Sequence, residues 1–188
     1  DMDNTEKTVN FIQECMAMNL TIVPPNINQS QFQFTVLYDP ENQDAEKIIY
    51  GLGAIKGSGE AALKGALDSR AADGLYKNLF DFCTRNDLRK INKRVLEALI
   101  KSGSFDDFGI NRASLWATLD KACQHAEQKA LSHARGQRDL FGFIANDADD
   151  NEEHVVLCGE WPLTQKLQGE KETLGWYLSG HPITAYHA

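Results

Sequence analysis

Gly53-Ala54-Ile55-Lys56-Gly57-Ser58-Gly59-Glu60-Ala61-Ala62-Leu63-Lys64 has the form of a short helix, a Gly-x-Gly turn and an alanine-rich helix. Glycines at 57 and 59 let the backbone bend tightly and come close to a ligand, because no Cβ stands in the way. The helix that follows offers unpaired N–H groups at its positive end, and such donors suit a phosphate oxygen. Lys56, Gly57, Ser58, Gly59 and Lys64 are therefore candidate phosphate-binding residues. A lone Gly-x-Gly fits an ordinary helix C-cap and turn equally well, so the pattern gains weight only if it recurs.

It recurs downstream. Leu88-Arg89-Lys90-Ile91-Asn92-Lys93-Arg94-Val95-Leu96-Glu97-Ala98-Leu99-Ile100-Lys101 runs through Ser102-Gly103-Ser104-Phe105-Asp106 into a helix expected from about Asn111 to Leu119. Val95, Leu96, Leu99 and Ile100 form a buried stripe, which leaves Arg89, Lys90, Lys93, Arg94 and Lys101 for solvent or phosphate. Ser102, Gly103 and Ser104 of the turn and Arg112 of the next helix complete the candidate DNA-binding set. A charged helical face that merely meets water is the alternative. Between the two units, Leu75, Leu79, Phe80, Phe82 and Cys83 have the spacing of a linking helix whose apolar side would hold both bends in one core. These aromatics read as core, since single-strand binders interleave aromatics with charges on an exposed face.

Charge points to the same region. The 188 residues carry a net charge of −8, which on its face disfavours a polyanion. Residues 51–135, however, hold 14 Lys and Arg against 10 Asp and Glu, net +4, while the remainder holds 5 against 17, net −12. Only the middle is a plausible DNA surface.

Outward from it, Asn4 to Met18 repeats apolar residues at helical spacing, Leu20-Thr21-Ile22-Val23 reads as a short strand stopped by Pro24-Pro25, and Phe32 to Tyr38 with Ile48-Ile49-Tyr50 reads as a β-hairpin. The expected fold is mainly α, with a small α+β portion in front of the two helical hairpins. Residues 147–153 hold five acidic groups in seven positions, the mark of a solvated linker. With 42% hydrophobic and 24% charged residues the chain has globular composition. No apolar run reaches the ~18 residues of a membrane span, and the acidic start is unlike a signal peptide, so a cytoplasmic protein is expected. Cys15, Cys83, Cys123 and Cys158 lie far apart without a CxxC pair, which suggests reduced thiols rather than a zinc site or disulfides. His125, His133, His154, His181 and His187 show no metal or nucleophile spacing. A start at Asp1 rather than Met leads to the expectation of a piece of a longer polypeptide.

The two units resemble tandem helix-hairpin-helix motifs, which position duplex DNA through its backbone without reading bases. Taken in order, Asp1-Met2-Asp3-Asn4-Thr5-Glu6-Lys7, Pro24-Pro25-Asn26-Ile27-Asn28, Tyr50-Gly51-Leu52-Gly53-Ala54-Ile55-Lys56-Gly57, Arg94-Val95-Leu96-Glu97-Ala98-Leu99-Ile100 and Gly175-Trp176-Tyr177-Leu178-Ser179-Gly180-His181-Pro182 resemble successive blocks of the alpha subunits of bacterial DNA polymerase III. That resemblance implies five divisions: the end of the fingers (1–50), a tandem helix-hairpin-helix domain (51–135), a clamp-binding peptide (136–142), an acidic linker (143–160) and a lead-in to an OB-fold (161–188). The family's catalytic palm, with its Mg2+-binding aspartates, lies upstream, so no catalytic residue, metal or cofactor is expected in this segment. Expected partners are double-stranded DNA, the bacterial beta sliding clamp and other subunits of the polymerase III holoenzyme, with no membrane.

Gln137-Arg138-Asp139-Leu140-Phe141 is similar to the short peptide by which bacterial proteins bind the sliding clamp, and it sits where the family places that motif. Leu140 and Phe141 would fill an apolar pocket while the Gln137 amide satisfies hydrogen bonds at the rim. As a string the pentapeptide is common, and a helix end tucking Leu140 and Phe141 into the core is the alternative. Two other functions fit parts of the pattern. Helix-hairpin-helix units occur in DNA glycosylases, but the Gly-Pro pair of that class is missing here. An interaction adaptor with degenerate hairpins is the other.

Overall fold

A computed structural model describes residues 5–37, 47–136 and 154–180. The first helix, α1 (Thr5–Ala17), carries its buried residues at Thr8, Ile12 and Cys15, the three- and four-residue steps of one helical face. Its chain leaves through Asn19, a non-glycine residue at φ 59°, and enters β1 (Thr21–Val23). Strands β2 (Thr35–Leu37) and β3 (Lys47–Ile49) pair antiparallel, as the alternation of Phe32 to Tyr38 predicts. β1 joins β3 in parallel, with Ile22 opposite Ile48, so the sheet order is β1-β3-β2.

The Pro24-Pro25-Asn26-Ile27-Asn28 loop fastens this sheet to the helical portion. The two prolines withhold N–H donors and keep the path extended. The Ile27 amide then donates to Ser104 O at 2.9 Å, and Asn28 exchanges two bonds with the Tyr76 backbone at 2.8 and 2.9 Å. The Arg70 guanidinium reaches across to the carbonyls of Ile27 and Ser30 at 2.7 and 2.8 Å. Gly51 must be glycine for space, because a Cβ there would run into the backbone of Gln33 and Phe34. The boundary drawn in the sequence at residue 50 is thus bridged by main-chain bonds, including Leu52 N to Gln31 O at 2.9 Å.

A 3-10 turn at Leu52–Ala54 leads into α2 (Glu60–Asp73), then α3 (Leu79–Arg85), α4 (Lys93–Lys101), a second 3-10 turn at Asp106–Phe108 and α5 (Arg112–Gly136). Asparagines set three of these starts. Asn78, Asn92 and Asn111 accept from the amides of Asp81, Val95 and Ser114, each three residues on. The short α3 buries Leu79, Phe80, Phe82 and Cys83 and packs along α5. Leu75, assigned above to the same helix, precedes it and is exposed. Phe82 lies at the centre, edge-on to Tyr76 at 4.7 Å and to Phe105 at 5.0 Å. Full burial of rings this size contributes roughly 1.5–3 kcal/mol each, and truncating one to Ala costs about 3–5 kcal/mol.

Residues 154–162 run extended along α5. The amides of Val156 and Cys158 donate to the hydroxyls of Thr118 and Ser114, both at 2.9 Å, and Glu160 accepts from the Ala113 amide at 3.2 Å. The last part of the expected linker is therefore laid against the domain by polar side chains of α5. A final helix, α6 (Leu163–Leu174), ends at Gly175 with φ 81° and closes over α4.

Candidate nucleic-acid interface

The first bend is open. Gly57 and Gly59 adopt φ 90° and 73°, values that L side chains rarely take. A Cβ on Gly59 would meet nothing within 4 Å, so its outer side faces free space. Ser58 turns inward between the two glycines, and its hydroxyl donates to Ile55 O at 2.6 Å, which braces the bend from below. Gly59 caps α2 without any side-chain acceptor. The opening N–H groups of that helix are therefore left for an outside acceptor.

α4 brings Arg94 and Lys101 to this bend. Val95, Leu96, Ala98, Leu99 and Ile100 are buried, and Lys90, Lys93 and Arg94 stay outside. A groove of about 500 Å3 between the bend and α4 is lined by Lys56, Gly57, Arg94, Lys101, Glu97 and Glu172 among others. Two regions far apart in sequence are thus joined in one concave surface that carries three cations and two carboxylates. Several of the cations have carboxylate partners. Lys64 meets Glu60 at 2.6 Å, Arg89 meets Asp87 at 2.9 Å, Lys93 meets Asp120 at 2.6 Å and Lys101 meets Glu172 at 3.0 Å. Such surface pairs contribute little to stability. Lys56, Lys90 and Arg94 have no ion-pair partner among the described residues.

The second bend is built differently from the first. Ser102, Gly103 and Ser104 are buried, and their amides are already used: Ser102 N donates to Ala98 O, Gly103 N to Ile100 O and Ser104 N to Leu99 O, at 3.0–3.1 Å. With Gly103 at φ 80°, this is the bonding pattern of a Schellman cap that closes α4. The hydroxyls of Ser102 and Ser104 bond each other at 2.8 Å. The Arg112 guanidinium is turned to the interior as well. Its side chain is 4% exposed and pairs with Asp106 and Glu170, each at 2.8 Å. What the bend shows to solvent is acidic: Asp106 and Asp107 are both exposed, and Asp107 accepts from the Asn26 side chain.

Glu170 escaped the sequence reading because nothing local marks it. It lies on α6, fully buried, and accepts from the amides of Leu178 and Ser179 at 2.7 and 2.9 Å besides Arg112. Burial pushes its carboxyl up, but the Ser179 hydroxyl and amide, Arg112 and the Leu178 amide together hold it below the ordinary carboxylate value. Arg112 is driven the other way. Burial lowers its affinity for the proton, and the hydrogen bonds and charges of Asp106 and Glu170 raise it by more. Among the described residues no cluster of three or more His, Cys, Asp or Glu could hold a metal ion. His125 stands edge-on to Phe80 at 5.5 Å. The peptide Gln137-Arg138-Asp139-Leu140-Phe141 lies outside the described residues, immediately after α5.

Residues 19–115 match the helix-hairpin-helix motif family, just over half of the chain, and the chain belongs to that family. Over 186 residues, 99% of the chain, it is 45% identical to DNA polymerase III subunit alpha of Vibrio cholerae and 46% identical to that of Escherichia coli K12. The subunit from Pseudomonas aeruginosa is 46% identical over 203 aligned positions. The chain spans about one sixth of the length of these curated relatives, 16–17%. The resemblance to bacterial polymerase III alpha subunits holds throughout, and the chain corresponds to a portion of one.

Proposed function

We propose that this chain is the duplex-holding and clamp-tethering portion of a replicative DNA polymerase. The observation that carries the reading is the first bend, where an uncapped helix start and two positive-φ glycines open beside Lys56 and Arg94. Main-chain amides and mobile cations contact phosphate oxygens without reading bases, so the grip is independent of sequence. Gly57, Gly59, Lys56 and Lys64 supply one side, with Ser58 bracing the bend beneath them, and Lys90, Lys93, Arg94 and Lys101 the other; Arg89 can join once freed from Asp87. Just beyond α5, Gln137, Leu140 and Phe141 would anchor the sliding clamp, with Arg138 and Asp139 as spacers. A tether keeps the local concentration of DNA high after each release. The polymerase's nucleotidyl transfer, its Mg2+ and the other holoenzyme subunits belong to the longer protein, which works in the cytoplasm. Among the described residues no helix is long and apolar enough to cross a membrane.

Titration of a labelled duplex with the 188-residue chain, with and without clamp and at two salt concentrations, tests this. Contact with on the order of three to five phosphates gives a log–log salt slope of about −2.7 to −4.5, and added clamp tightens binding to clamp-loaded DNA. Salt-independent binding, or preference for one sequence, removes the proposal. The capped second bend favours a second reading, an adaptor that binds the clamp alone. Changing Lys90, Lys93 and Arg94 to Glu separates them, since only the DNA-holding function loses affinity.

A further inference from the structure

The phosphate groove holds an anion of its own. Glu172 projects from α6 and meets Lys101 Nζ at 3.0 Å, in the same groove as Lys56, Gly57 and Arg94. The residues around it are fixed from several sides. The Lys56 amide donates to the carbonyl of Thr173 at 2.8 Å, and the Tyr50 hydroxyl donates to that of Leu174 at 3.3 Å. One turn earlier Gly169 lies so near that a Cβ there would be 3.3 Å from Lys101 Cβ. The side chain itself is 60% exposed, so the carboxylate is presented by a rigid element without being buried in it.

A carboxylate offers one negative charge on two acceptor oxygens, as does a phosphodiester. We propose that Glu172 is an internal stand-in for a DNA phosphate, occupying Lys101 until DNA displaces it. This rests on the DNA-holding reading and adds how that grip is tuned. Exchange of Glu172 for a phosphate at Lys101 leaves the number of ion pairs unchanged, so Lys101 contributes little to affinity and the bound strand is easily released. Glu97, half-buried on α4, lines the same groove and lowers its potential further. The hairpin thus holds DNA loosely enough to pass along it, and retention is left to the clamp.

Glu172→Gln keeps the shape and removes the charge. In anisotropy titrations of the 188-residue chain with a duplex, E172Q binds several-fold more tightly, and its log–log salt slope steepens by about 0.9, because no freed carboxylate takes up a counterion as Lys101 meets the phosphate. Glu127→Gln, the same change at an exposed site on α5 outside the groove, leaves both nearly unmoved. Lys101→Ala costs little in the wild-type chain and abolishes the gain in the E172Q chain, a coupling that a double-mutant cycle measures. Wild type binding while E172Q matches it, or E127Q gaining as much, overturns the stand-in role alone. Failure of both wild type and E172Q to bind overturns the DNA-holding reading with it.

Discussion

Arg112 Nη1 and Glu170 Oε1 lie 2.8 Å apart in the interior, with side chains 4% and 0% exposed, and join two elements separated by 58 residues. The pair ties α6 to the start of α5, and Asp106 on the second bend takes the other edge of the guanidinium through Nε and Nη2. It is therefore a bracket that sets where Glu172 and Thr173 stand relative to the first bend.

Removing one partner leaves the other charge buried and unpaired, which costs about 3–5 kcal/mol. Glu170→Ala and Arg112→Ala should each lower the melting temperature by roughly 6–20 °C, at about 2–4 °C per kcal/mol for a chain of this size. Arg112→Met with Glu170→Leu should recover much of that loss. Thermal unfolding followed by circular dichroism measures all three, and a single variant that melts like the wild type would show the pair to be dispensable.

Acid should loosen the same bracket. The folded-state value of Glu170 lies below its ordinary 4.5, so its contribution is complete above that pH and disappears as pH falls through the folded value. The unfolded chain takes up the proton first, and stability therefore declines on the acid side. Glu170→Gln, less stable at neutral pH, should show a flatter decline below pH 4.5 than the wild type. Urea midpoints measured from pH 7 to pH 3 give the comparison.

The two bends should respond oppositely to alanine. At Gly59 a Cβ has room but φ is 73°, so Gly59→Ala carries a strain of roughly 1–2 kcal/mol and disturbs the exposed amides. Gly103→Ala adds a collision with the Arg112 guanidinium to the same kind of strain. We expect G59A to lose DNA affinity with modest loss of stability, and G103A to lose stability first while its folded fraction binds DNA normally. Equal DNA defects in both would mean that the second bend also holds phosphate.

For the tether, alanine at Gln137, Leu140 and Phe141 together should abolish calorimetric binding to the clamp and leave both duplex affinity and the melting curve unchanged. Heat of binding retained in that triple variant would assign the contact to another segment.

The sequence by itself determined the local elements: the apolar steps of α1, the period-two strands that pair as β2 and β3, and the amphipathic α4 with Val95, Leu96, Leu99 and Ile100 inside. It also determined the kinship, because runs such as Tyr50 to Gly57 carry it in residue identity. Periodicity and turn chemistry act within about a dozen residues, and that is the reach of such a reading. Only the tertiary structure decided which glycine bend is available. Gly57-Ser58-Gly59 and Ser102-Gly103-Ser104 look alike as strings, yet one leaves its helix start uncapped and the other spends its amides on the end of α4. Arg112 reads as one more cation, and its fate was settled by a carboxylate on a helix 58 residues away. Availability of a donor or a charge is a property of what packs around it, and long-range packing is not encoded in any short window.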